Sequence, residues 1–293
     1  MNQTVYYRSG LVLLTLLLSV PLEAKLLRPT KNGEEKEILI VNSKRRVYYP
    51  VKEEGLTYSL SGPTRVEFIS RYPVIRKKKR SHDFHYFIVL DQRDTIEVNH
   101  RYKVQRSIRS VQHPKHSYTY SGNYFINLSK GEHTLQLLEG DGLKYPVLVR
   151  VITKEFESLP GRNRTVLTPM VHKNDVKLRS GDKDMRYFEC SSEIPLQIEA
   201  RGAKSLRILS RLEFTQSMGQ ESSYRLRVRE GKKVIGTYYF NTERSSASQI
   251  LDRPEKVPGK WRSCHISVPE GDHTYSVEVS DRDKVVLTRF ILY

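Results

Sequence analysis

Two stretches of the sequence recur at one fixed spacing. Residues 61–71 (SGPTRVEFISR) resemble residues 201–211 (RGAKSLRILSR), and residues 130–135 (KGEHTL) resemble residues 270–275 (EGDHTY). In both pairs the second copy follows the first by 140 residues. One offset shared by two segments far apart in the chain indicates an internal duplication. The chain is therefore predicted to contain two copies of one domain.

The residue pattern within each copy is typical of β-structure. Short runs rich in Val, Ile, Tyr, Phe and Thr alternate with Gly, Pro, Asn and Asp, and no long stretch keeps a helical period. This pattern predicts an all-β fold of two tandem, internally duplicated antiparallel β-sandwich domains. Gly62-Pro63 and Gly131, with their counterparts Gly202-Ala203 and Gly271, are expected to form turns between strands.

Each repeated Gly-acid-His segment places a histidine at the start of a strand. Strand alternation puts His133 and His273 on the inward face at the rim of the core. There an imidazole can donate a hydrogen bond to a loop carbonyl, so a structural role is favoured over a ligand or metal role.

The N-terminus has the pattern of a secretory signal peptide. Arg8 precedes a largely apolar run over residues 11–20, and a small residue, Ala24, follows at the expected cleavage point. The run is shorter than the roughly 20 residues of a membrane span, although a retained N-terminal anchor helix is the alternative. The prediction is a signal peptide over residues 1–24, a first domain over residues 25–160 and a second over residues 161–293. The protein is expected to be exported to the periplasm or the extracellular space.

Both cysteines, Cys190 and Cys264, lie in the second copy. In an oxidising compartment they are candidates for a disulfide. Alternation places Cys264 on the core face of its strand with Ile266 and Val268, so two buried free thiols are the alternative.

The formal net charge is +17, and most of the excess belongs to the first copy. Five adjacent cations occupy residues 76–80, where the second copy has a nearly neutral segment. Folding does not require such a run, which favours a polyanionic partner, although a solvated loop is the alternative. A second basic stretch over residues 101–116 is followed by tyrosines that could stack on sugar rings, although ordinary strand packing is the alternative for any one of them. The predicted contacts with an anionic partner are Arg76, Lys77, Lys78, Lys79, Arg80, Arg101, Lys103, Arg106, Arg109, Lys115, Tyr118 and Tyr120.

Two other aromatic residues have an assigned face. Alternation places Tyr124 on the core side of its strand with Ile126 and Leu128. The single tryptophan, Trp261, alternates opposite Cys264 and is expected to face outward, as a binding platform or as a contact between domains.

The sequence contains no motif that predicts catalysis. Gly-x-Ser-x-Gly, His-Glu-x-x-His, a phosphate-binding glycine loop and Cys-x-x-Cys are all absent, and no metal ligands occur at a recognised spacing. We therefore expect a non-enzymatic protein without a metal or cofactor. Its expected partner is an anionic glycan, lipopolysaccharide or membrane headgroups, and nucleic acid is disfavoured in an exported protein. The alternatives are a subunit of a cell-envelope protein complex and an enzyme whose catalytic residues lie on loops.

Overall fold

A computed structural model describes residues 24–75, 80–156 and 163–293 of the chain. Within these ranges the regular structure is β-strand. The strands of the first half are β1 (Lys25–Leu27), β2 (Glu37–Val41), β3 (Lys44–Val51), β4 (Leu56–Arg71), β5 (Pro73–Val74), β6 (Ser81–Leu90), β7 (Asp94–Gln105), β8 (Arg109–Ser110), β9 (Ser117–Thr119), β10 (Gly122–Glu139) and β11 (Val147–Lys154). The strands of the second half are β12 (Thr165–Leu167), β13 (Asp175–Ser180), β14 (Lys183–Cys190), β15 (Leu196–Phe214), β16 (Glu221–Glu230), β17 (Lys233–Glu243), β18 (Ser248–Ile250), β19 (Val257–Pro258), β20 (Arg262–Val279) and β21 (Val286–Leu292). Across the described part of the chain, no helix has the length and apolarity that a membrane crossing requires.

The first half is a sandwich of two sheets that share two long strands. Strands β4 and β10 pair antiparallel over almost their whole length. At one end they continue into a sheet with β11, which also pairs with β1 and β3. At the other end β10 pairs with β6, and β6 pairs with β7. The apolar faces of the two sheets enclose one core.

The second half repeats this arrangement. Strands β15 and β20 are the long shared pair, β21 joins β15 to β12 and β14, and β16 joins β20 to β17. Its core is a separate cluster of buried side chains. These observations confirm the all-β fold of two tandem antiparallel sandwiches that the duplication predicts.

The glycines expected to form turns lie instead within continuous strands. Strand β4 runs through Gly62 and β10 runs through Gly131, with a register shift where the two meet. A Cβ at Gly62 would overlap the carbonyl oxygen of Ser129, and a Cβ at Gly202 would overlap that of Pro269. Gly131 has a φ of 137°, a conformation that other residues rarely adopt. The glycines therefore allow the long strands to bend from one sheet into the other, as β-bulges do.

The repeated histidines have the structural role expected of them. The ring of His133 bonds through Nε2 to the carbonyl oxygen of Ser129 at 3.0 Å and through Nδ1 to Asp91 at 2.8 Å. The ring of His273 contacts the carbonyl oxygen of Glu270 at 3.3 Å and the Glu230 carboxylate at 2.6 Å. Each imidazole therefore connects the bend of its long strand to the turn of the neighbouring hairpin, β6–β7 or β16–β17.

The disulfide considered for the second half is not formed. Cys190 and Cys264 are both free and fully buried, and Cys190 donates to the carbonyl oxygen of Val277 at 3.4 Å. Cys190 lies on β14 and Cys264 on β20, with β21 and β15 between them in the same sheet. Three strand spacings amount to roughly 14 Å, about twice the Cα separation that a disulfide spans. Burial raises the pKa of each thiol to about 12, so both remain protonated.

The two sandwiches meet along one pair of strands. Tyr124–Ile126 of β10 run parallel to Thr237–Tyr239 of β17, so a sheet of the first half continues into the second. We call this pairing the seam. Phe125 packs in the core of the second half, whereas Tyr239 packs in the core of the first. The predicted domain boundary at residue 160 and residues 1–23 of the signal peptide predicted over residues 1–24 lie outside the described residues, so both stay predictions.

Candidate anion-binding cleft

A cleft of about 1180 Å³ opens on one side of the seam. Its first wall is the β6–β7 hairpin of the first half, and its second wall is the β16–β17 hairpin of the second. We call it the basic cleft, because its lining contains six lysines and arginines and one carboxylate, Asp83. The six are Arg101, Lys103, Arg227, Arg229, Lys232 and Lys233.

Strand alternation directs these cations away from the cores. On β7, Ile96 and Val98 are buried, whereas Arg101 and Lys103 are exposed. On β16 the inward side chains are Tyr224, Leu226 and Val228, and the arginines between them point outward. Lys232 and Lys233 are exposed at the hairpin that follows. The two halves therefore present cations to each other across the cleft.

Some of this charge is neutralised within the protein. Arg101 Nε lies 3.6 Å from the Asp83 carboxylate, and both atoms are well exposed. The Glu278 carboxylate accepts from Arg227 and from Arg229, each at 3.2 Å. Among the described residues, no carboxylate lies within 4.0 Å of the amino groups of Lys103, Lys232 or Lys233. Three lysines are therefore available to an anion.

The floor of the cleft is aromatic and polar. The rings of Phe84 and His100 lie 5.2 Å apart, and that of Tyr102 lies 5.6 Å from His100. Gly122 permits this packing, because a Cβ there would overlap the His100 ring. Burial, with a smaller contribution from the charge of Arg227, lowers the pKa of His100 to about 3, so its imidazole is neutral. His100 Nε2 and Asn123 Oδ1 are buried, and neither has a hydrogen-bond partner among the described residues.

The structure brings together only part of the predicted site. Arg101, Lys103 and Tyr120 line the basic cleft, and Tyr120 is 51% exposed there. Arg80 is exposed next to Ser81, which also lines the cleft. Arg106, Arg109 and Lys115 are exposed but do not line it. Arg76, Lys77, Lys78 and Lys79 lie outside the described residues.

The prediction that Tyr118 contacts an anionic partner at the surface is wrong, because the residue is buried. Its ring is 1% exposed, and its hydroxyl donates to Glu37 at 3.0 Å. It therefore belongs to the packing of β2 against the segment that carries β8 and β9. Tyr124 is 2% exposed in the core and Trp261 is 53% exposed, and alternation predicts both correctly.

The sequence analysis did not predict that cations of the second half belong to the site. The sequence feature that indicates them is the segment Tyr224–Glu230 of β16, in which arginine alternates with apolar residues. Such alternation predicts a strand with one basic face. Only the folded chain shows that this face lies opposite Arg101 and Lys103. In the described ranges no group of three or more His, Cys, Asp or Glu side chains is arranged to hold a metal ion.

No protein-family model matches the chain, and no curated protein resembles it in sequence. Among solved structures, the tandem CBM51 carbohydrate-binding modules of a family 98 glycoside hydrolase from Streptococcus pneumoniae match with 11% identity, covering 92% of this chain and 93% of theirs, at a TM-score of 0.24. The tandem CBM22 modules of Paenibacillus barcinonensis Xyn10C match with 13% identity over 93% and 97%, also at 0.24. The ANXUR2 extracellular domain from Arabidopsis thaliana matches with 8% identity over 94% and 89%, at 0.24. At these TM-scores none of the matches assigns a function to the chain.

Proposed function

We propose that this protein is an exported, non-enzymatic binding protein that recognises an anionic carbohydrate in the basic cleft. The observation that carries the proposal is the convergence of Lys103 from one half with Lys232 and Lys233 from the other. These amino groups have no carboxylate partner among the described residues, so they can approach carboxylate or sulfate groups without first breaking an ion pair.

The groups between the cations favour a sugar over a bare anion. Tyr120 at the rim offers a ring face to a pyranose and a hydroxyl for hydrogen bonding. The neutral His100 ring and the Asn123 amide give the floor a polar surface without a further charge. A membrane headgroup or lipopolysaccharide would use the same lysines, but a flat lipid surface would not reach the floor of a cleft.

Retention on a heparin column tests whether the three lysines of the basic cleft bind an anion. The triple variant Lys103→Ser, Lys232→Ser, Lys233→Ser should elute at a clearly lower NaCl concentration than the wild type, because exposed charges act within about 10 Å at 0.1 M salt. The matched control is Lys44→Ser, Arg45→Ser, Arg46→Ser, which removes the same charge from an exposed strand end. Equal loss of retention in both variants would attribute binding to net charge and contradict the proposal.

Calorimetric titration with hexagalacturonic acid tests whether the cleft binds an acidic carbohydrate. Tyr120→Ala should weaken this binding several-fold, because the ring loses its stacking surface. The same variant should sediment with phosphatidylglycerol vesicles as well as the wild type does, because lipid attraction depends on charge alone. If the protein sediments with the vesicles but gives no heat with the acidic hexasaccharide, the partner is a lipid surface instead.

A further inference from the structure

A second cleft of about 1190 Å³ opens on the opposite side of the seam. The 140-residue offset relates its lining to that of the basic cleft: Tyr239–Glu243 correspond to Asn99–Lys103, and Lys260–Ser263 correspond to Tyr120–Asn123. Opposite them, Arg93 and Asp94 correspond to Lys233 and Val234. The duplication thus places an equivalent cleft on each side of the seam.

The equivalent positions carry different chemistry. Where the basic cleft has Arg101 and Lys103, the second cleft has Asn241 and Glu243. Its lining holds six lysines and arginines against four carboxylates, and Lys260 pairs with Glu243 at 2.8 Å. Because most of this charge is balanced, the cleft has little reason to select an anion.

Two exposed aromatic rings line this cleft, which we call the aromatic cleft. Trp261 is 53% exposed, and the Arg207 guanidinium lies 5.3 Å from its ring centre. Phe156 is 40% exposed, with Arg65 at 5.9 Å from its ring. An arginine against an exposed ring restricts its motion, which leaves the indole as a preformed flat surface.

Polar groups without partners accompany these rings. Within the described part of the chain, the buried ring nitrogens of His265 and the buried Nε atoms of Arg207 and Arg211 have no hydrogen-bond partner. Arg211 is 5% exposed, and its Nη1 donates to the carbonyl oxygen of Gly259 at 2.9 Å. Burial, and then the charges of Arg65 and Arg207, lower the pKa of His265 to about 4, so its ring is uncharged at neutral pH.

We propose that the aromatic cleft is a second carbohydrate site, which takes a neutral sugar. The Trp261 indole stacks on the apolar face of a pyranose ring, and the guanidinium of Arg207 beside it bonds to the hydroxyl groups of the sugar. This site is separate from the anion site proposed in the basic cleft, and neither proposal depends on the other.

Tryptophan fluorescence tests this site selectively, because Trp261 is the only tryptophan of the chain. The full chain is titrated with cellohexaose, maltohexaose, mannohexaose and chitohexaose. At least one of these neutral hexasaccharides should shift or quench the emission saturably, and calorimetry should detect the same binding. In calorimetry Trp261→Ala should weaken it at least 10-fold and Arg207→Ala several-fold. Both variants should keep the wild-type circular dichroism, since neither side chain packs in the core of the second half.

The basic-cleft triple variant separates the two proposals. Lys103→Ser, Lys232→Ser, Lys233→Ser should keep the fluorescence response to the neutral sugar even though it loses heparin retention. Trp261→Ala should keep heparin retention. Absence of any response to all four hexasaccharides, or equal binding by the wild type and Trp261→Ala, would overturn the aromatic-cleft proposal without touching the anion site.

Discussion

The rings of Phe125 and Tyr238 stack across the seam with their centres 4.6 Å apart and their planes 11° from parallel. Phe125 is 8% exposed and packs in the core of the second sandwich, although its strand belongs to the first. Gly236 makes room for it, because a Cβ there would overlap the Phe125 ring. The seam is therefore part of both cores.

Replacement of Phe125 with alanine should uncouple the two sandwiches. Loss of a buried phenylalanine costs about 3–5 kcal/mol, and the stack with Tyr238 is lost with it. In calorimetry the single unfolding transition expected of the wild type should separate into two, at a lower temperature. Phe156→Ala, which removes a ring that is 40% exposed, should leave the transition nearly unchanged. A single unshifted transition for Phe125→Ala would show that the seam does not couple the halves.

The sequence predicts each sandwich better than it predicts the way the two meet. Alternation over β7 and β16 correctly separates core from surface residues, because each strand has one apolar face. The seam is a parallel pairing between strands more than 100 residues apart, and no local pattern specifies which edge pairs with which. Both clefts lie beside the seam, so the sequence alone could not predict which residues line each of them. Tyr118 shows a second limit, because its burial results from packing against residues distant in the chain, such as Leu39 and Tyr48.

The stability of the protein should fall on the acid side of neutrality because of two buried histidines. The pKa values of His100 and His265 are lowered, chiefly by burial, from 6.5 to about 3 and about 4. Below about pH 6.5 the unfolded chain binds protons that the folded chain does not, so the free energy of unfolding decreases as the pH falls. Urea unfolding at pH 7 and pH 4.5 should show this loss. The loss of stability should be smaller in the double variant His100→Gln, His265→Gln. If the double variant and the wild type lose the same stability, these two histidines are not the cause of the pH dependence.

His133 and His273 should act in the opposite direction. Although burial opposes the charge of His133, its hydrogen bonds to Asp91 and Ser129 raise its pKa, and the bond to Glu230 raises the pKa of His273. Their contribution is complete below pH 6.5 and is lost as the pH rises through the raised values. His133→Gln, His273→Gln should therefore lower stability more at pH 5.5 than at pH 9 in the same urea assay. An equal loss at both pH values would contradict a role for the charged rings.

Glu278 should limit the affinity of the basic cleft for anions. Its carboxylate accepts from Arg227 and Arg229 at 3.2 Å and neutralises part of their charge. Glu278→Gln keeps a similar shape and removes that charge, so the protein should elute from heparin at a higher NaCl concentration. Glu199→Gln, which makes the same change at an exposed position of β15, is the matched control. Equal gains in the two variants would mean that the arginines take no part in binding.

Arg253 should be required for the stability of the second sandwich, because it joins two buried carboxylates. Its guanidinium contacts Glu189 at 2.5 Å and Glu213 at 2.9 Å, and those residues are 8% and 5% exposed. Arg253→Ala would leave both carboxylates without this partner, which costs about 3–5 kcal/mol for a buried pair. Arg179→Ala, which breaks an exposed pair with Asp184, should cost less than about 1 kcal/mol. Burial already raises the pKa of Glu213, and without Arg253 its remaining cation is Lys256 at 3.9 Å among the described residues, so protonation should relieve part of the cost. The deficit of Arg253→Ala in urea unfolding should therefore shrink between pH 7 and pH 4.5, and a deficit that stays constant would point to lost packing instead.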